Sequence, residues 1–156
     1  MSVTVAIGVS HFSLRAADIK ASAAFYTNFF GFKRIQAPNF GTEVVWLARK
    51  GFQLHLYRGD QACNVPNHVG LIVEEIEPIY LAAKHEGYLD KSSFGHPFRR
   101  LSSGEYQVYL RDPGGNLVEV NAHPDQSLSA EAAAEVVSIE DEFAQTEAQK
   151  SARLLP

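Results

Sequence analysis

The chain has a single cysteine, Cys63, among its 156 residues. One thiol cannot close an internal disulfide, so the core must hold the fold, and a reduced, cytoplasmic setting is expected. Cys63 lies in the polar stretch GDQACNVPN with no basic neighbour to favour a thiolate, and reads as incidental. Positive charge is also scarce. Fourteen Lys and Arg face 18 Asp and Glu, the net charge is −4, and no basic stripe is present. That balance argues against nucleic acid and anionic membrane surfaces as partners. No run approaches the roughly 18 apolar residues that span a bilayer. The apolar start MSVTVAIGVSHF is short and has no positively charged leader, so it reads as a first strand rather than a signal peptide.

What remains is ordinary globular composition, 46% hydrophobic and 21% charged, enough for one compact domain with a sizeable core. Residues 4–15 read as a strand. ADIKASAAFYTNFFG reads as a helix, with Asp18 at its N-cap, an apolar stripe of Ile19, Ala23, Tyr26 and Phe30, and Gly31 to end it. Three strands follow in FKRIQA, TEVVWLAR and FQLHLYR, the last two joined by the tight turn Lys50-Gly51. The order then repeats. NHVGLIVEE is a strand, EPIYLAAKHEG a helix with Pro78 in its first turn and Gly87 past its last, and YLDKSSFGHPFRRLSSG is irregular with some strand content. EYQVYLRD and NLVEVNA are strands around the turn Pro113-Gly114-Gly115.

The unit is therefore βαβββ, twice: a first module at about 4–60 and a second at about 65–123. His11 and His68 sit in corresponding strands, and the helix-ending glycines follow them by 20 and 19 residues. VVWLARKG parallels QVYLRDPGG, which matches His55 to Glu119. The expected fold class is α+β, the two modules forming a half-open mixed-sheet barrel with a C-terminal helix appended. Alternation then puts His11, His55, His68 and Glu119 on inward faces. A lone inward histidine is usually a satisfied core residue, and a buried hydrogen-bonded network is the competing explanation for all four. Three imidazoles and a carboxylate buried without partners would be costly, and one divalent cation (Zn, Ni, Fe, Co or Mn) would satisfy them. His85, His96 and His123 read as solvated.

After Asp125 the composition turns to alanine and glutamate. Ala132, Val136, Ile139 and Phe143 recur at helical spacing, so one amphipathic helix is expected over 127–150, packed on its own domain or reaching over a second subunit.

HFSLRAADIKASAAFYTNFFGFK, NHVGLIVEEIE and YLRDPGGNLVEV resemble the vicinal oxygen chelate superfamily, which holds glyoxalase I, extradiol dioxygenases, fosfomycin-resistance transferases and bleomycin-resistance proteins. The resemblance covers about residues 7–122 and leaves out the C-terminal helix. It implies metal ligands at His11, His68 and Glu119. On the fourth strand glyoxalase I has a glutamate where this chain has His55, so either Glu119 or His55 takes the role of moving the substrate proton. The resemblance thus implies a metal-dependent lyase or isomerase whose small substrate chelates through vicinal oxygens. Compared with the dioxygenases, His55 becomes a second-sphere acid/base, Tyr109 a hydrogen-bond donor, and the metal Fe(II). A ligand-sequestering binding module without catalysis is the third reading. A homodimer is also implied.

Around these positions Trp46, Tyr57, Phe94 and Phe98, with Phe40, are candidates for an aromatic substrate cleft, although each taken singly reads as core packing. Arg99 and Arg100 are candidates for pairing with an anionic substrate, or are simply exposed arginines.

Overall fold

The alternation in FQLHLYR is that of a strand with two unlike faces. The computed structural model of the chain, which describes residues 11–37, 43–59 and 68–152, builds two sheets on that pattern. The first half runs β1 (His11–Ala16), α1 (Ile19–Phe30), β2 (Lys33–Ile35), β3 (Val44–Arg49) and β4 (Phe52–Arg58). The second runs β5 (His68–Ile72), α2 (Glu77–Glu86), β6 (Phe98–Arg100), β7 (Tyr106–Arg111) and β8 (Leu117–Ala122). The start of the first strand, Phe40 and the connector holding Cys63 lie outside the described residues. Among the described residues no helix is long and apolar enough to cross a membrane.

The duplication is legible in the strand order. One sheet is β1-β4-β3-β2, and the other begins β5-β8-β7-β6. In each, the first and last strands of the module pair in parallel. The register matches as well: Ser13 pairs with His55, and Gly70 with Glu119. His55 and Glu119 thus each lie across from the residue two places beyond the module's first histidine. Their other neighbours, Trp46 on β3 and Tyr109 on β7, correspond in the same way.

Contacts divide the chain into two units, Met1–Ala62 with Pro113–Asn116, and Cys63–Asp112 with Leu117–Pro156. In the first, Asp18 caps α1 by accepting from the Ala21 N–H at 2.9 Å, and Gly31 ends it at φ 64. The helix lays Ile19, Phe25, Tyr26 and Phe30 on the apolar sheet face of Val45, Leu47, Leu54 and Leu56, all buried. Each such side chain contributes about 1.5–3 kcal/mol by leaving water. That leaves the opposite face to His11, Trp46, Gln53, His55 and Tyr57. In the second unit α2 buries Tyr80 and Ala83, and Val69, Val108, Leu110, Val118 and Val120 are among the residues buried with them.

The turn after β7 belongs to the first unit. Asn116 Nδ2 donates to the Arg15 carbonyl at the end of β1. A Cβ added at Gly114 would stand 3.0 Å from that carbonyl oxygen and 3.1 Å from Ala16 Cα, both backbone atoms that cannot swing aside. Gly114→Val is therefore expected to cost about 1–3 kcal/mol, read as a lower urea midpoint at unchanged slope.

The single C-terminal helix expected over 127–150 is corrected. The segment forms α3 (Ala130–Ala134), β9 (Val137–Ser138), α4 (Ile139–Glu142) and α5 (Glu147–Lys150). The β-branched run Val136-Val137 leaves the helix, and β9 joins the sheet edge in parallel with β6, Val137 beside Arg99. Ser138 and Thr146 then act as N-caps and start new turns.

Candidate functional site

Each unit brings together two of the four proposed donor residues. In the first, β1 and β4 lie side by side, so His11 and His55 share a face and their rings stack with centroids 4.1 Å apart. Trp46 covers the other side of His55 at 3.9 Å, with the planes 1° from parallel. His55 Nε2 donates to Gln53 Oε1 at 2.9 Å, which leaves Nδ1 with the lone pair. Burial first, and then the neighbouring His11, hold the His55 pKa below the ordinary imidazole value. The ring is consequently neutral at pH 7, the state in which it ligates a metal or accepts a proton. Tyr57, two residues on, accepts from Arg15 Nε at 3.3 Å.

In the second unit Glu119 is 6% exposed. His68 Nε2 stands 3.2 Å from its Oε2, and Gln107 Nε2 donates to its Oε1 at 3.1 Å. Tyr109 OH donates to Gln107 Oε1 at 3.3 Å. Burial, and after it the Glu119 carboxylate, push the Tyr109 phenol well above its ordinary range, so it serves as a donor and never as a phenolate base. Phe94 lies over this group, its ring centroid 4.7 Å from Tyr109 and 6.0 Å, edge-on, from His68.

The substrate-facing candidates divide. Trp46 lies against His55, and Phe94 against His68 and Tyr109. Phe98 alternates to the opposite side of β6, fully buried, and packs on Tyr80 at 4.6 Å as a core residue. Arg100 shares that parity and lies over the Tyr106 ring at 5.7 Å. Arg99 is on the Glu119 side of the sheet, but its guanidinium already donates to Glu142 Oε2 at 2.5 Å and to the Phe94 carbonyl at 2.6 Å.

Gln53, Gln107, Asn121 and Glu142 are additional residues at these sites. The first three were within reach of the sequence, each lying two residues from a candidate on the same strand. Glu142 was not, because its contact spans 43 residues. Among the described residues no group of three or more His, Cys, Asp or Glu stands ready to hold a metal ion. Each unit by itself supplies two donors, and their chemistry fits one. Imidazole nitrogen and carboxylate oxygen suit Zn, Fe, Mn, Ni or Co, and donors sharing a cation at about 2.0–2.2 Å lie about 3 Å apart, near the His68–Glu119 separation.

An uncharacterised protein of Pseudomonas aeruginosa is 28% identical over 123 residues, covering 71% of this chain and 85% of the relative. Among solved structures, lactoylglutathione lyase from Agrobacterium tumefaciens is similar with a TM-score of 0.58 at 21% identity, covering 78% of this chain and 97% of that one. The fosfomycin resistance protein FosX from Listeria monocytogenes is similar with a TM-score of 0.64 at 20% identity, covering 83% and 98%. These likenesses show a shared fold. The family model described as Glyoxalase/Bleomycin resistance protein/Dioxygenase superfamily matches residues 8–120. With β1-β4-β3-β2 and its repeat on either side of the match's midpoint, the chain belongs to that superfamily, the vicinal oxygen chelate proteins.

Proposed function

We propose that this chain is a divalent-metal-dependent lyase or isomerase acting on a small substrate that chelates through two adjacent oxygens. His11, His55, His68 and Glu119 form the donor set, and the working unit is a homodimer. The observation that carries the reading is the His68 Nε2–Glu119 Oε2 approach at 3.2 Å, at register positions that the first module repeats with His11 and His55. Support of a coarser kind comes from a FosX structure of the same fold that was solved with Mn(II) and a dihydroxypropylphosphonic acid, itself a vicinal diol.

When bound, the cation would supply Lewis acidity, worth several kcal/mol where negative charge develops on substrate oxygen. The remaining work falls to side chains. As a metal donor His55 would offer Nδ1, its Nε2–H being held by Gln53, so Glu119 takes and returns the substrate proton, a role typically worth 10²–10⁴-fold. Gln107 fixes the Glu119 carboxylate, and the protonated Tyr109 fixes Gln107 in turn. Trp46 and Phe94 exclude water from either pair.

A second reading has its own observation. With Nε2 spent on Gln53 and both ring faces covered, His55 suits second-sphere acid/base work. His11, His68 and Glu119 would then hold Fe(II) in an extradiol dioxygenase. A screen of small compounds bearing vicinal oxygens, catechols included, run under nitrogen and in air, separates the two. The lyase reading expects chelator-sensitive conversion under nitrogen, whereas conversion only in air, with oxygen consumed, contradicts it.

A further inference from the structure

One row across the second sheet carries buried polar atoms without a partner among the described residues. Arg99, Gln107 and Asn121 lie side by side on β6, β7 and β8, one step along from Tyr109 and Glu119 and on the same face. They are 5%, 7% and 4% exposed. Gln107 spends its amide on Glu119 and Tyr109. Arg99 Nε and Asn121 Oδ1, however, find no hydrogen-bond partner among the described residues. Buried polar atoms are nearly always paired, so a donor and an acceptor left over on the face of a site mark where a polar ligand group goes.

The charge of that row is already met. The Arg99 terminal nitrogen donates to Glu142, and the other Glu142 oxygen stands 3.6 Å from His96 Nε2. Glu142 ends α4, in the segment beyond the family match. Pairing of β9 with β6 lays this segment along Arg99, and α4, directly after β9, delivers the carboxylate.

We propose that Arg99 forms an anion seat which the chain's own Glu142 fills, and that Glu142 thereby sets the charge of the substrate accepted. This face of the sheet then takes substrates whose distal group is uncharged and polar, a hydroxyl or carboxamide, and turns away a carboxylate or phosphonate at that position. The assignment rests on the reading that substrate lies over the Glu119 face. A hydroxyl or amide satisfies both leftover atoms, accepting from Arg99 Nε–H and donating to Asn121 Oδ1 from elsewhere on the same molecule, across the about 10 Å that separates alternate strands. A carboxylate beside Arg99 meets the like charge of Glu142.

The test is thermal melting in sodium acetate against sodium chloride at matched ionic strength, each with and without EDTA. Wild-type protein is expected to melt alike in the two salts, because its seat is full. In Glu142→Ala, acetate should raise the midpoint by several degrees over chloride, and Arg99→Gln in the same background should abolish the rise. If Glu142→Ala does not fold in chloride, the same comparison is read as recovery of folded protein on refolding in each salt. Persistence of the rise in EDTA separates the seat from the metal: the seat stands even if no metal is ever bound. Three results overturn the proposal: an equal acetate effect in wild type, no difference between the salts in Glu142→Ala, or an acetate effect that EDTA removes.

Discussion

Glu119→Gln is expected to lower kcat/KM about a thousandfold while leaving the fold intact. The amide has nearly the shape of the carboxylate and retains an oxygen to accept from Gln107 Nε2, now 3.1 Å from Oε1. It loses the charge that faces His68 Nε2 at 3.2 Å and that would help hold a divalent cation. A thousandfold corresponds to about 4 kcal/mol of transition-state stabilisation, within the several kcal/mol that Lewis-acid assistance supplies. The measurement is steady-state kinetics on whichever compound the vicinal-oxygen screen identifies, with a melting curve beside it. A variant within threefold of wild type would remove Glu119 from the donor set.

Asp90→Ala should cause the largest loss of stability of any single change considered for the second unit. The Asp90 side chain is 3% exposed and lies 3.2 Å from Arg111 Nε. It also accepts from Ser92 Oγ at 2.7 Å and from the Ser93 N–H at 3.0 Å. Burial alone would raise its pKa, but the hydrogen bonds from Ser92, Ser93 and Arg111 overcome burial and bring it to about 2. Truncation strands those donors, at a cost of about 2–4 kcal/mol given that Arg111 keeps some access to water. At this chain length that lowers the melting midpoint by roughly 4–16 °C. The carboxylate's contribution should also follow pH. A folded pKa below the unfolded one adds stability that is complete above the unfolded value of 3.8 and fades as pH falls toward about 2. Wild type and Asp90→Ala should therefore converge in stability in strong acid. A constant gap down to pH 2 would contradict the assignment. Because Ser93 precedes Phe94, the variant should also loosen the aromatic cover over Tyr109.

Much of the fold was legible because the chain states it twice. The period of two in FQLHLYR and the helix-ending glycines at 31 and 87 are local signals. The match of VVWLARKG to QVYLRDPGG predicted that His55 and Glu119 hold corresponding positions, and their registers correspond. Strand alternation told which side of its own strand each of His11, His55, His68 and Glu119 takes, but the adjacency of β1 with β4 and of β5 with β8 came only with the fold. The C-terminal segment was misread for a physical reason. Alanine and glutamate favour helix locally, but Val137 gains more by adding a short strand to the exposed edge of β6. Phe98 and Arg99 are adjacent and so point to opposite faces, which a list of nearby aromatics and arginines could not separate. The partnership of Arg99 with Glu142 is purely tertiary and left no trace in spacing.

The central claim is that the histidine pair and the histidine–glutamate pair serve one cation. Metal content per chain, measured on protein purified without chelator and on His11→Ala and His68→Ala, tests it most directly. The account predicts one divalent ion per chain in wild type and loss of most of it in either variant, although the two histidines belong to different sheets. Full occupancy surviving both substitutions, or a wild-type protein that takes up none of Zn, Ni, Fe, Co or Mn, would contradict it.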